Sequence, residues 1–209
     1  MESVTLFRIS GWAAILSGLC LVIDTVFIEL FLPGTALTNS IGHFAVVLGL
    51  FALMGVYLWQ REASGALGAV AFGVTIVGIA YLLGVMFFVN YIAPYLTPET
   101  RQLIFVGPPK VAALLSAATF ELGVILFGIA TARAGRFPRL AALLYTLGYT
   151  AFVVEAFVKN PGVFESVIRA GQVAGALAVI WMGRTLLAGP RSRPAVTQGV
   201  PAAPPAPLG

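Results

Sequence analysis

The stretch that decides the fold is residues 9–32, ISGWAAILSGLCLVIDTVFIELFL, whose 24 residues include only two charged side chains, Asp24 and Glu29. It exceeds the roughly 20 residues that an α-helix needs to cross about 30 Å of hydrocarbon. It is also longer than the roughly 7 to 15 apolar residues at the centre of a secretory signal peptide. The stretch therefore predicts a retained membrane-spanning helix near the start of the chain.

The rest of the chain has a similar composition. Of the 209 residues, 59% are hydrophobic and 10% are charged, whereas about 25% are charged in soluble domains. Because lipid offers the backbone no water to bond, long apolar runs in a membrane form helices. The sequence predicts an all-α polytopic membrane bundle with six transmembrane helices, over residues 9–32, 41–59, 65–89, 109–132, 138–158 and 164–187.

Two segments lie outside these spans. Thr97 as a helix cap, Pro98 in the first turn and Glu99 near the positive end of the dipole predict a short helix over residues 98–106 at the outer interface. A plain connecting loop is the alternative. Residues 189–209 are rich in proline and alanine without an apolar period, which predicts a disordered cytoplasmic tail after one transmembrane domain over residues 1–188.

The arginines predict the orientation of the bundle. With the amino terminus inside, the inner connections and helix ends hold Arg8, Arg61, Arg133, Arg136, Arg139, Arg184, Arg191 and Arg193. Positive residues favour the cytoplasmic side, so we expect both termini in the cytoplasm and the protein in the inner (plasma) membrane. The net charge of +4 comes largely from these arginines. No basic patch is interleaved with aromatic residues, so the lipid bilayer, and not nucleic acid, is the expected partner.

Ionisable side chains within the apolar stretches are the best functional clue. Each costs about 2.5 to 3.5 kcal/mol in hydrocarbon on insertion scales, so it persists where it pairs, faces a polar cavity or has a function. Most lie toward the outer side, which predicts an outward-facing polar pocket. The set is Asp24, Glu29, His43, Lys110, Glu121, Glu155, Lys159, Glu165 and Arg169.

Four of these residues have a simpler interpretation. Glu155 with Lys159, and Glu165 with Arg169, are spaced four apart with the acid first, so each acid can neutralise a partner on its own helix. They are then ordinary ion pairs at the outer interface. Gln172, one turn from Arg169, would extend a pocket inward.

Asp24, Glu29 and Glu121 have no opposite charge one turn away. Each therefore needs a partner from another helix, a proton or water, and such acids are natural proton carriers. The alternative is a structural hydrogen bond between helices. Lys110 lies eleven residues before Glu121, close to three helical turns, which predicts that both mark one inward polar face.

His43 is the only histidine and Cys20 the only cysteine, and they lie on different predicted helices. Haem ligation by two histidines within the chain is therefore excluded, and a transition-metal site is not expected. His43 is instead predicted to partner Asp24 or Glu29, or to lie at the headgroup level. No HExxH, GxSxG or GxxxxGK[ST] motif occurs, so the sequence predicts no cofactor and favours a non-enzyme.

Small residues predict how the helices approach one another. Gly171 and Gly175 form a GxxxG motif in the sixth span, and Ala69 and Gly73 have the same spacing in the third. We expect both pairs to contact neighbours within the bundle. A homodimer interface is the alternative.

The first half of the chain carries a resemblance to a known family. Its residues are Arg8-Ile9-Ser10-Gly11-Trp12, Leu16-Ser17-Gly18, Asn39, His43, Gly55, Tyr57 and Gly65. They resemble an uncharacterised family of short bacterial six-helix integral membrane proteins. The resemblance implies no activity and no site residues.

Three functions follow as hypotheses. The first is binding or transport of a small solute, ion or proton. It predicts that at least four of Asp24, His43, Glu121, Glu155 and Arg169 converge on one cavity of a few hundred Å3. It also predicts that Arg169 pairs with Asp24, Glu29 or Glu121. The second is a non-catalytic accessory or assembly subunit, and the third a membrane-embedded enzyme acting on a lipid or quinone.

Overall fold

The computed structural model describes residues 2–28, 31, 35–104, 106–157 and 162–189. Over these residues the chain is helical with no strand, which confirms the all-α prediction. Short π-helical turns extend α1 (Ile23–Ile28) and α2 (Phe88–Ile92). The helices are α1 (Glu2–Val22), α2 (Ala36–Phe87), α3 (Pro98–Ile104), α4 (Pro108–Ala134), α5 (Arg139–Phe157) and α6 (Glu165–Ala188).

Four segments of the described chain are long and apolar enough to cross a membrane, so the protein is a membrane protein. They are Val4–Ile28, Leu37–Tyr95, Pro108–Ala134 and Glu165–Ala188.

The longest of these segments contains a hairpin. Gly65 has φ 55° and ψ −144°, a conformation that glycine adopts more readily than other residues. It divides α2 into a first arm (36–64) and a second arm (66–87). Tyr57 stacks on Phe72 with ring centroids 4.3 Å apart, and near the other end Ser40 Oγ lies 2.7 Å from Tyr91 Oη. In each pair the two partners are nearly the same number of residues before and after Gly65, so the two arms run antiparallel.

The two arms with α1, α4, α5 and α6 make six long helical segments, and these form a closed ring. In order around it, α1 contacts the first arm, the second arm contacts α4, α4 contacts α5, α5 contacts α6, and α6 returns to α1. Ser17 Oγ on α1 donates to Ala45 O at 2.7 Å on the first arm. All of these neighbours are antiparallel, because the six segments alternate in direction along the chain.

One end of the ring collects most of the arginines, and we call it the basic end. It comprises the start of α1, the Gly65 turn, the α4–α5 connection and the end of α6, held together by Phe7 against Trp59 and by Gln60 Nε2 donating to Thr131 Oγ1 at 2.9 Å. Its arginines are Arg8, Arg61, Arg133, Arg136, Arg139 and Arg184.

The opposite end carries the short helix α3. Thr97 Oγ1 accepts from the Thr100 N–H at 3.3 Å, as a capping residue does. The backbone N–H of Glu99 and the Thr97 hydroxyl together lower the pKa of the Glu99 carboxyl. Arg101 fastens this helix by donating to Ala93 O at 2.6 Å and Pro94 O at 2.7 Å. The helix ends at Ile104, before the predicted residue 106, and the predicted tail at 190–209 lies outside the described residues.

The small-residue predictions had different outcomes. The prediction for α6 is confirmed, because a Cβ on Gly175 would lie 2.8 Å from the Cα of Gly148 on α5. The prediction for Ala69 and Gly73 is wrong. Ala69 is exposed, and a Cβ on Gly73 would meet no atom of the described residues within 4 Å. The second arm instead approaches α4 through Gly78, whose Cβ would lie 2.5 Å from the Cα of Phe120.

Candidate functional site

The ring encloses a central cavity of about 70 Å3, lined by residues from all six long helical segments. Its wall is mainly aliphatic and aromatic, with Phe120, Phe127, Tyr145 and Tyr149 on one side. Asp24 is the only charged residue among the described residues of this wall. The cavity is thus an apolar chamber with one carboxyl group.

Asp24 lies on the π-helical extension of α1, at the end of the ring opposite the basic end. Among the described residues its carboxylate has no hydrogen-bond or ion-pair partner. It packs against the first arm at Gly42, where an added Cβ would lie 2.5 Å from Asp24 Oδ2. A side chain at position 42 would therefore occupy the space that the carboxylate uses.

A second, side cavity of about 30 Å3 lies between α1, α5 and α6. Asp24 lines it as well, together with Thr25, Tyr149 and Gln172. Gln172 is 9% exposed and donates through Nε2 to Glu155 Oε2 on α5, while its buried Oε1 accepts no hydrogen bond from the described residues. The side cavity is thus lined by Asp24 and Gln172, and Glu155 on α5 accepts a hydrogen bond from Gln172 next to it.

Arg169 lies one turn from Gln172, toward the end away from the arginines. Its Nη2 is 2.9 Å from Glu165 Oε1, which confirms the predicted pair at spacing four. Its Nη1 donates to the backbone carbonyl of Thr25 at 3.1 Å. Arg169 therefore joins α6 to the π-helical part of α1, beside the side cavity.

Glu121 makes a separate contact within the bundle. Thr150 Oγ1 on α5 donates to Glu121 Oε1 at 2.5 Å, and Glu121 Oε2 is buried without a partner among the described residues. This is a structural hydrogen bond between helices, which is the alternative to a proton-carrying role for Glu121. The carboxylate does not line either cavity.

His43 lies among aromatic rings and not against an acid. Its ring centroid is 6.4 Å from that of Phe87 and 5.8 Å from that of Tyr91, and its Nδ1 has no partner among the described residues. The prediction that His43 partners Asp24 is therefore wrong for these residues. Those same residues contain no group of three or more His, Cys, Asp or Glu side chains able to hold a metal.

The predicted convergence on one large cavity is wrong for the described residues. Of the five residues expected there, Asp24 alone lines the central cavity, which is far below a few hundred Å3. Lys110 is exposed, so it does not share an inward face with Glu121. Glu29 and Lys159 lie outside the described residues.

Three polar participants were missed by the sequence analysis, namely Thr25, Tyr149 and Thr150. Tyr149 lines both cavities, and Thr150 bonds Glu121. A weak signal existed, since hydroxyl groups inside an apolar span also need partners. Threonine can satisfy its hydroxyl on its own helix, as Thr146 does with Ala142 O at 3.0 Å, so the residue type alone did not mark these positions.

Comparison of the chain with protein-family models, curated proteins and solved structures finds no match. The resemblance to an uncharacterised bacterial family therefore stays a prediction.

Proposed function

We propose that the protein spans the inner (plasma) membrane six times and carries a proton or small monovalent cation across it, using Asp24 as the binding group. The observation that carries the proposal is the position of Asp24. Its carboxylate lines both interior cavities and has no hydrogen-bond or ion-pair partner among the described residues. A carboxylate inside a membrane bundle marks an ion or proton pathway by default, because its burial is costly.

The cavity sizes favour an ion or proton over an organic solute. Sites for drug-sized molecules occupy about 300 to 1,000 Å3, whereas the two cavities measure about 70 and 30 Å3. A cavity needs about 10 to 15 Å3 to hold one water. The interior is therefore too small for an organic solute and has room for a few water molecules or a small ion.

Helix lengths support six spans. Each arm of α2 exceeds 20 residues, and the 19 residues of α5 cover about 28 Å at 1.5 Å per residue. The basic end then faces the cytoplasm under the positive-inside rule, which puts both termini there. Asp24 lies toward the outer face in this orientation.

The test is ion flux into vesicles that contain the purified protein, with a trapped pH-sensitive dye to follow protons and a trapped Na+-sensitive dye to follow Na+. With an imposed proton or Na+ gradient, wild-type protein should carry ions faster than protein-free vesicles, and Asp24→Asn should fall to the protein-free rate. Glu62→Gln is the matched control, since it also removes one carboxylate but at the exposed Gly65 turn. Equal flux in wild-type and Asp24→Asn vesicles would refute the role of Asp24.

An accessory subunit is a second candidate, favoured by a different observation. Glu121 with Thr150, and Glu155 with Gln172, bond across neighbouring helices, so part of the buried polarity holds the ring together. Crosslinking and pull-down from native membranes discriminates between the two. A stoichiometric membrane partner, together with no flux from the isolated protein, would favour the accessory role over a self-contained monomer or homodimer.

A further inference from the structure

We infer that the side cavity is a binding site for a single dehydrated monovalent metal cation of the size of Na+, held between Asp24 and the Oε1 atom of Gln172. The inference rests on the proposed function and deepens it, because it names the ion and adds ligands beyond Asp24. Four observations support it.

The first observation is the unsatisfied oxygen of Gln172. Its Nε2 is used by Glu155, so the amide orientation is fixed and Oε1 remains as an acceptor without a donor among the described residues. Leaving a buried acceptor unsatisfied costs about 1 to 3 kcal/mol. A cation in the side cavity would satisfy Oε1 and balance the charge of Asp24 at once.

The second observation is the chemistry of the wall. Four residues that line the side cavity carry side-chain oxygen, and none of the lining residues is a histidine or a cysteine; the four are Asp24, Thr25, Tyr149 and Gln172. Oxygen ligands select hard cations, whereas nitrogen and sulfur ligands select transition metals. One unpaired carboxylate suits a single positive charge, because Ca2+ requires six to eight oxygens and Mg2+ keeps several waters.

The third observation is the π-helical turn that follows α1, since π-helical turns are frequent at functional sites. Residues Ile23–Ile28 form this turn, and the backbone carbonyl of Thr25 there accepts from the Arg169 guanidinium at 3.1 Å. The backbone at this point therefore already faces one positively charged group beside the side cavity.

The fourth observation is that the carboxylate is shared. Asp24 lines the side cavity and the central cavity together, so an ion bound in one changes the charge presented to the other. At about 30 Å3 the side cavity is too small for an ion with its full hydration shell, which fits a cation stripped of that shell.

The experiment is thermal unfolding of the full chain in detergent, followed by tryptophan fluorescence, while NaCl is replaced stepwise by choline chloride at constant ionic strength. Na+ well above its Kd should raise Tm by about 5 °C, because a ligand that binds only the folded state stabilises it. Choline is too large for the site and should have no effect.

Gln172→Leu should weaken the apparent Na+ affinity by about tenfold or more. Gln60→Leu is the matched control. Gln60 is also buried, donates to a neighbouring helix through Nε2 and has an Oε1 without a partner among the described residues, but it lies at the basic end. The Gln60→Leu variant should have a lower Tm without Na+ but the same increase in Tm when Na+ is added. Asp24→Asn, which changes the shape least, should abolish that response and covers the case in which Gln172→Leu does not fold.

A pH titration separates failure of this inference from failure of the proposed function. If the Tm of wild-type protein depends on pH through Asp24 but not on Na+, the site binds protons, and the metal-cation inference is overturned while the proposed function stands. If the dependence of Tm on Na+ and its dependence on pH are both unchanged in Asp24→Asn, the metal-cation inference and the proposed function are both overturned. Other titratable groups lie near Asp24, and each needs its own variant in this titration. They are Cys20 on α1, Tyr149 and Glu155 on α5, and Arg169 on α6. On α2, Asp24 contacts Gly42, which carries no charge.

Discussion

At the scale of single residues, the absence of a side chain at Gly42 is what leaves room for the Asp24 carboxylate. The backbone of the first arm lies directly against Oδ2 of the carboxylate, and the carboxylate also lines the two cavities. Gly49, two turns further along the same arm, also lines the central cavity but has room for a methyl group, with 3.5 Å to Ser17 Oγ.

We expect Gly42→Ala to displace Asp24 and Gly49→Ala to be tolerated. Alanine adds helix propensity of up to about 1 kcal/mol at both positions, but at position 42 overpacking costs about 1 to 3 kcal/mol. Thermal unfolding should therefore give a lower Tm for Gly42→Ala than for Gly49→Ala, and ion flux should fall in Gly42→Ala alone. Equal Tm and flux in the two variants would show that Asp24 does not depend on this contact.

At the scale of helices, the ring depends on positions where two backbones nearly touch. Gly148 on α5 and Gly175 on α6 face one another, and each would place a Cβ against the backbone of the other. Side chains can rotate away from such a clash, whereas a helix backbone must shift as a whole. The α5–α6 contact also fixes the Glu155–Gln172 bond, so this glycine pair positions the side cavity.

Gly175→Ala should destabilise the protein by about 1 to 3 kcal/mol through overpacking against Gly148. Gly73→Ala provides the matched control, because its methyl group would meet no described residue within 4 Å and alanine raises helix propensity by up to about 1 kcal/mol. Unfolding in detergent should rank Gly73→Ala at or above wild type and Gly175→Ala below it. A stable Gly175→Ala protein would mean that α5 and α6 do not approach closely in solution.

At the scale of the whole molecule, charge is divided between the two ends of the ring. Among the described residues the basic end has six arginines and Glu62. The acids Asp24, Glu99, Glu155 and Glu165 lie toward the other end, together with the cations Arg101, Lys110 and Arg169. This division is the basis for placing the basic end in the cytoplasm.

Membrane topology can be measured with single cysteines, because Cys20 is the only native one. In a Cys20→Ser background, we expect Glu99→Cys to react with a membrane-impermeant maleimide in intact cells. Glu62→Cys at the Gly65 turn should react only after the membrane is permeabilised. The reverse pattern would invert the orientation and place Asp24 toward the cytoplasm.

The sequence alone determined what depends on local spacing and on the cost of burial. Apolar run lengths gave the helices, the spacing of four gave the Glu165–Arg169 pair, and GxxxG gave the close approach of α6. Each of these follows from the period of one helix and needs no knowledge of its neighbours.

Only the tertiary structure decided which polar groups meet. Glu121 accepts a hydrogen bond from Thr150, 29 residues further along the chain, and Glu155 on α5 accepts one from Gln172 on the neighbouring α6. Such partners depend on the order of helices in the ring and on how each is rotated. In a soluble protein the polar face would reveal that rotation, but here lipid-facing and interior surfaces are both apolar, so the pattern is nearly the same all round. For that reason the outward-facing Ala69 and Gly73 were predicted to lie inside, and the Asp24 site could not be assembled from sequence.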